Sequence, residues 1–169
     1  MNLYQNLGYL VLGSRLRRLS EGFLSEINRA YQNLGIDFDA SWFPVFYLLS
    51  KNDALSIKEL SEQTEVSHPA ASQLITNLKN KDLVTSVTCT DDGRRQLVTL
   101  TDKGRALLND VLPVWDAVLA AMTELVALEE QSSKILPAIG ALETIFKQHS
   151  LSDKIADYLA VELKPEPNE

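Results

Sequence analysis

Two groups of side chains in this chain can act on another molecule, and both would act through hydrogen bonds and charge rather than through bond making. The first group is Pro69, Ser72, Gln73, Thr76 and Asn77. Among them, Gln and Asn can pair with adenine edges, and Ser or Thr can meet bases or phosphates. The second is the loop Thr90-Asp-Asp-Gly-Arg-Arg95. Its Asp-Gly pair suits a hairpin tip, and Arg94 and Arg95 at an exposed tip can reach phosphates or a narrow minor groove, with Asp92 beside them. Taken alone, each group has a plain alternative: a solvated helix face and a solubilising loop. The elements around them decide between these readings.

Bond-making chemistry finds no comparable support. The sequence has no Gly-rich phosphate loop, no His-Glu-x-x-His and no nucleophile elbow, so the chain is not expected to be an enzyme. One cysteine, Cys89, excludes an internal disulfide, and with His68 and His149 it is too scattered for structural zinc, so neither a metal nor a cofactor is expected. Cys89 is expected as an inert thiol on a strand, His68 as a polar helix-start residue near phosphate, and His149 as a helix-end residue.

The two groups are held by a recognisable series of elements. Ser56 and Glu59 have the spacing of a capping box that opens a short helix through about Gln63. Thr64-Glu-Val-Ser67 makes a turn, and Ser67 caps a second helix, with Val66 and Ala71 spaced as a hydrophobic staple. On that helix Ala71, Leu74, Ile75 and Leu78 follow the i, i+3, i+4, i+7 rule and must face a core, which leaves the polar group outward. Strands are expected from Leu83 to Cys89 and from Gln96 to Leu100, joined by the Arg94–Arg95 loop. Helix, helix, strand, basic loop, strand is a winged helix-turn-helix, a shape that inserts one helix into a DNA groove.

Long helices flank this unit. Upstream, Leu12, Leu16, Leu19, Phe23, Ile27 and Tyr31 recur at helical steps, and Leu3, Leu7 and Leu10 extend the pattern. Asn33-Leu-Gly35 ends that helix, and Ser41 is placed to cap an apolar one with Pro44 in its first turn. Downstream, Thr101 caps a helix through Val126 that Pro113 should kink near Asn109. A further pattern holds Ile135 to Phe146, where Pro137 requires a late start or a bend, and a last helix follows Ser150. The fold class is therefore mainly α with a minor β part, a winged helix-turn-helix with long N- and C-terminal dimerisation helices. The expected divisions are an N-terminal dimerisation helix at 1–40, the DNA-binding unit at 41–106, C-terminal dimerisation helices at 107–164 and a tail at 165–169.

The run Asp92-x-Arg94-x-x-x-Val98-x-Leu100-Thr101-x-x-Gly104 resembles the wing signature of the MarR family of bacterial transcriptional regulators. Leu78-x-x-Lys81-x-Leu83-Val84 resembles the end of that family's recognition helix, and the likeness extends over about residues 6–148. The resemblance implies a homodimer that binds double-stranded DNA, usually a repressor that leaves a pseudo-palindromic operator when a small aromatic or anionic effector binds. By position, the resemblance makes Arg94 the minor-groove residue and Asp92 the residue that orients it, and sets Ser67, His68, Ala70, Ser72, Gln73 and Asn77 where the family's recognition helix approaches DNA. Arg15, Trp42, Phe46 and Trp115 are effector-pocket candidates, combining aromatic walls with one cation. The sequence departs from the pattern at Asp82, usually glycine, and at Gln73 and Asn77, where arginine is common.

Charge qualifies this reading. The net charge is −7, and residues 107–169 hold four basic and eleven acidic groups, so all excess negative charge lies there. Nucleic-acid binding then depends on local placement of Lys and Arg, and the alternative function is a winged-helix module that docks a protein partner without binding DNA. With no membrane-length apolar stretch and no signal-peptide pattern, the chain is expected to be soluble and cytoplasmic, without a membrane partner.

Overall fold

The computed structural model describes residues 6–88 and 96–162, and the side chains of Thr88, Val161 and Glu162 lie outside that description. The chain forms two compact units, residues 1–118 and 119–169. In the first, a 3-10 turn over Gly8–Val11 precedes α1 (Leu12–Asn33). Of the expected upstream extension Leu3 lies outside the described residues, and the helical pattern is interrupted before Leu10 because Gly8 adopts a positive φ of 53°. A second positive φ, at Gly35, ends α1 at the expected Asn33-Leu-Gly35 turn.

Next comes a 3-10 turn over Ala40–Trp42 and then α2 (Phe43–Lys51), with Pro44 in its first turn. The cap differs from expectation. Ser41 donates its own backbone N–H to Asp39 Oδ1 at 2.8 Å, so Asp39 caps the 3-10 turn and α2 starts without a side-chain cap. An acidic residue two positions earlier serves the orphan donors as well as Ser41 would.

The strand β1 (Leu55–Ser56) is not visible in the sequence, being two residues long. It pairs antiparallel with β3 (Gln96–Leu100), which also pairs with β2 (Val84–Thr88), giving the order β1-β3-β2. Between β1 and β2 lie α3 (Ile57–Thr64) and α4 (His68–Asn80). The capping box forms as expected: Glu59 N–H donates to Ser56 Oγ at 3.2 Å, and Ser56 N–H to Glu59 Oε2 at 2.8 Å. The sequel α5 (Asp102–Ala127) starts at Thr101, whose Oγ1 accepts from Gly104 N–H at 2.9 Å, and it continues through Pro113.

One core organises the first unit. Tyr31, Phe46, Leu60, Ile75, Leu78, Val98 and Val111 are almost fully enclosed, so α1, α2, α3, α4, β3 and α5 each contribute a central residue. Ring pairs at 5.0–5.5 Å join Tyr31, Trp42 and Phe46 to Phe38, in edge-to-face geometry. In the second unit α6 (Ile135–Gln148) follows a 3-10 turn at Ser132–Lys134, so Pro137 falls in its first turn, and α7 is Leu151–Glu162. No residue of 119–160 is buried. Leu136, Phe146, Leu151, Ile155, Tyr158 and Leu159 are all more than half exposed. No described helix is long and apolar enough to cross a membrane.

Candidate nucleic-acid interface

Helix α4 is fixed at both ends and along one side, and that makes its other side a rigid surface. At its start Ser67 Oγ accepts from Ala70 N–H at 3.4 Å, with Pro69 inside the first turn, where its missing donor costs nothing. At its end the Asp82 N–H donates to Lys79 O at 2.9 Å and the Leu83 N–H to Leu78 O at 3.0 Å. These two bonds form a Schellman motif, which requires a left-handed residue, and Asp82 supplies it with φ 60°. A glycine would be easier there, and this is the physical reason that a family pattern would place one at the position.

The apolar side, Ala71, Ile75 and Leu78, is buried, with Leu74 packed at its margin. Facing outward, His68, Pro69, Ala70, Gln73, Thr76 and Asn77 are exposed and Ser72 is half-buried. The helix therefore brings the whole first group of candidates onto one continuous surface, begun by the exposed Ser67. Three of its polar side chains are engaged within the helix: Thr76 Oγ1 donates to Ser72 O at 2.9 Å, and Gln73 Nε2 donates to Asn77 Oδ1 at 3.1 Å. Residues 67–77 contain no Lys or Arg.

Asp92, Arg94 and Arg95, together with Cys89, lie outside the described residues. The described strands lead into that loop with Thr88 paired to Gln96. The opposite end of the strand pair is secured by a node at the Leu83 carbonyl oxygen, which accepts from Thr101 N–H at 3.1 Å and Thr101 Oγ1 at 3.2 Å. Gly104 packs against the same oxygen so closely that a Cβ there would lie 2.0 Å from it. The Leu100-Thr101-x-x-Gly104 part of the signature thus describes where β3 turns into α5 against the segment that follows α4.

The effector-pocket candidates separate. Trp42, Phe46 and Trp115 gather around Phe38, at ring distances of 5.5, 5.0 and 6.3 Å. Phe46 is 0% exposed and offers no ring face to a bound molecule in this packing. Arg15 stands exposed on α1. An open groove of about 580 Å³ along α1 is lined by Glu21, Leu24, Ser25, Asn28, Arg29 and Gln32, and by none of the four.

Sequence reasoning did not foresee the part that three residues play in this region. Phe38 sits in an irregular Ile-Asp-Phe-Asp stretch without periodicity, yet it is the centre of the aromatic cluster. Lys81, at the end of α4, places Nζ 5.2 Å from the Trp42 ring centre and 3.8 Å from Asp37. Tyr31 accepts a 3.0 Å hydrogen bond from Trp115 Nε1. Burial raises the Tyr31 phenol above its ordinary range, and the Trp115 bond partly offsets this. No signal in the sequence pairs residues 84 positions apart.

The family model described as the MarR family matches residues 36–95. No protein of curated function matches the chain. Among solved structures, the chain is similar to the S. aureus MepR–DNA complex, at 19% identity and a TM-score of 0.63, over 81% of this chain and 97% of that one. It is similar to a MarR/EmrR family transcriptional regulator from Acinetobacter sp. ADP1 at 16% identity and 0.64, over 88% and 100%. A third likeness is to Bordetella bronchiseptica BpsR, from work on regulation of its DNA binding by 6-hydroxynicotinic acid, at 23% and 0.57, over 79% and 98%. At these identities the likenesses show a shared fold.

Proposed function

We propose that this chain, whose residues 36–95 match the MarR family model, is a homodimeric, DNA-binding transcriptional regulator, a repressor released from a pseudo-palindromic operator by a small aromatic or anionic effector. The observation that carries this reading is the outward face of α4, polar from Ser67 to Asn77, set on a helix that is capped at its start and locked by a Schellman motif at its end. A helix held this rigidly presents its side chains in one register to a groove about 12 Å wide. The reading is supported by S. aureus MepR, a chain of similar fold whose structure is that of a complex with DNA.

Dimerisation is supported by apolar residues with no cover in one chain. On α1, Leu16, Leu19 and Phe23 are 41–58% exposed at helical spacing, and α6 and α7 expose the larger set named above. A monomer would leave both stripes in water. The aromatic cluster around Phe38, reached by Lys81 from the end of α4, favours an effector site near Trp42 and Trp115, whereas Arg15 stands apart from it on α1. Asp92, Arg94 and Arg95 are assigned to the minor groove and adjacent phosphates.

A mobility-shift comparison tests the reading: the DNA upstream of the protein's own reading frame against random duplex, at two salt concentrations. Preferential, salt-sensitive binding to half-sites about 34–36 Å apart, weakened in Arg94→Ala for every sequence, is the expected result. Equal and negligible binding to all duplexes at low salt would overturn it and leave the protein-docking alternative, which the −7 net charge would then explain.

A further inference from the structure

The outward face of α4 carries one side-chain to side-chain hydrogen bond, and that bond uses donors and acceptors unequally. Gln73 Nε2 donates to Asn77 Oδ1 at 3.1 Å across one helical turn, with both side chains exposed. Each amide owns one carbonyl oxygen and two N–H groups. Having committed one N–H, Gln73 keeps Oε1 as an acceptor beside one remaining donor. Asn77 has turned its oxygen towards Gln73, so what it offers an outside molecule is chiefly the two N–H donors on Nδ2.

These two remainders match different base edges. In the major groove adenine shows the N6 amino donor beside the N7 acceptor, which is the complement of Gln73. Thymine O4 and guanine O6 and N7 present acceptors only, the complement of Asn77, whereas the cytosine N4 amino group would meet another donor. Residues four apart are separated by about 6 Å along the helix axis, so the two targets lie within about two base steps of each other. Competing readers are few: Thr76 Oγ1 directs its proton to the Ser72 carbonyl, and residues 67–77 have no Lys or Arg to take a guanine.

We propose that Gln73 and Asn77 read DNA as one unit, Gln73 an adenine and Asn77 a neighbouring keto base, thymine or guanine, with Asn77 also fixing which way the Gln73 amide faces. The proposal rests on the assignment of α4 as the helix that enters the groove. It differs from two independent contacts in one respect: removing Asn77 should release the Gln73 amide to rotate, and with it the adenine preference.

Selection from a fully randomised duplex library, run with the full chain and with Gln73→Ala, Asn77→Ala and the double variant, tests this. The wild type should enrich an adenine with thymine or guanine within two base pairs in each half-site. Asn77→Ala should lose about tenfold in discrimination for that adenine although Gln73 is intact, and the double variant should be little worse than either single one. Replacing the selected adenine by 7-deazaadenine, which lacks the N7 acceptor, should weaken the wild type about tenfold and leave Asn77→Ala unaffected. An adenine preference undiminished in Asn77→Ala, or cytosine selected at the neighbouring position, overturns the coupled reading while DNA binding stands. If the wild type retains no duplex at low salt, the DNA-binding assignment itself falls, and the proposal with it.

Discussion

Replacing Gly104 by alanine would set a methyl carbon 2.0 Å from the Leu83 carbonyl oxygen, 3.0 Å from its carbonyl carbon and 3.2 Å from Leu100 Cδ2. Ordinary contact begins at 3.4 Å, so the first turn of α5 would have to retreat by more than an ångström from the oxygen. Retreat is opposed by Thr101, whose N–H bond to that oxygen is already 3.1 Å long and would pass beyond hydrogen-bonding range. Losing it leaves a buried carbonyl under-satisfied, at about 1–3 kcal/mol, and the residual overpacking adds about 1–3 kcal/mol. The gain in helix propensity from Gly to Ala, at most about 1 kcal/mol, acts the other way. A net loss of about 1–5 kcal/mol follows, or a fall in Tm of about 2–20 °C for a chain of this size. Urea and thermal unfolding followed by circular dichroism measure it. Gly22→Ala is the control, since nothing lies within 4 Å of the Cβ it would add on α1, and there the propensity term should stand alone as a stabilisation of up to about 1 kcal/mol. Equal behaviour of the two variants would refute the claim that the Leu83 oxygen excludes a side chain.

Two further outcomes are expected. Asp82→Gly should raise stability by about 0.5–1 kcal/mol in urea unfolding, because it relieves a left-handed φ of 60° and removes an acidic group from the negative end of α4; unchanged or lower stability would show that the Asp82 side chain contributes something the Schellman geometry does not need. Tyr31 should make the fold alkali-sensitive: its phenol stays protonated in the folded state above the ordinary 10.0 while the unfolded chain ionises there, so stability present below pH 10 is lost as pH rises through the folded value. Tyr31→Phe should remove that alkaline slope but cost about 1–3 kcal/mol at neutral pH by leaving Trp115 Nε1–H without its acceptor, and an identical slope in the variant would assign the sensitivity to another group.

What could be read from the sequence was whatever depends on neighbours along the chain. The capping box at Ser56 and Glu59, the Ser67 cap, the buried stripe Ala71–Leu78 and the Thr101 start of α5 are all set within a few residues, and each appears where its spacing places it. The outward polar face of α4 follows from the same periodicity. What escaped depends on distant partners or on competition between near-equal local choices. β1 exists because β3 offers it hydrogen bonds, Phe38 is central because helices far apart in sequence converge on it, and Asp39 prevails over Ser41 by geometry that no pattern ranks. Pro113 lies inside α5, which continues through it as one helix, with Val111 and Val114 held in the core. The wing-tip residues Asp92, Arg94 and Arg95 remain a reading of the sequence, resting on their signature.

The short passage between α4 and β2 has a consequence for how this segment can change over time. Asn80 ends the helix, Val84 begins the strand, and the residues between are committed to the Schellman bonds, the left-handed turn and the Leu83 node. Adding or deleting one residue within α4 would rotate everything upstream by about 100° relative to the sheet, carrying Ile75 and Leu78 out of the core and Gln73 or Asn77 into it. The segment can therefore diversify by exchanging one outward side chain for another, at little cost to the fold, but not by changing its length. Variants of this domain with altered preferences should differ by substitutions at positions such as 68, 73, 76 and 77, and keep the count of residues from Ser67 to Val84 constant.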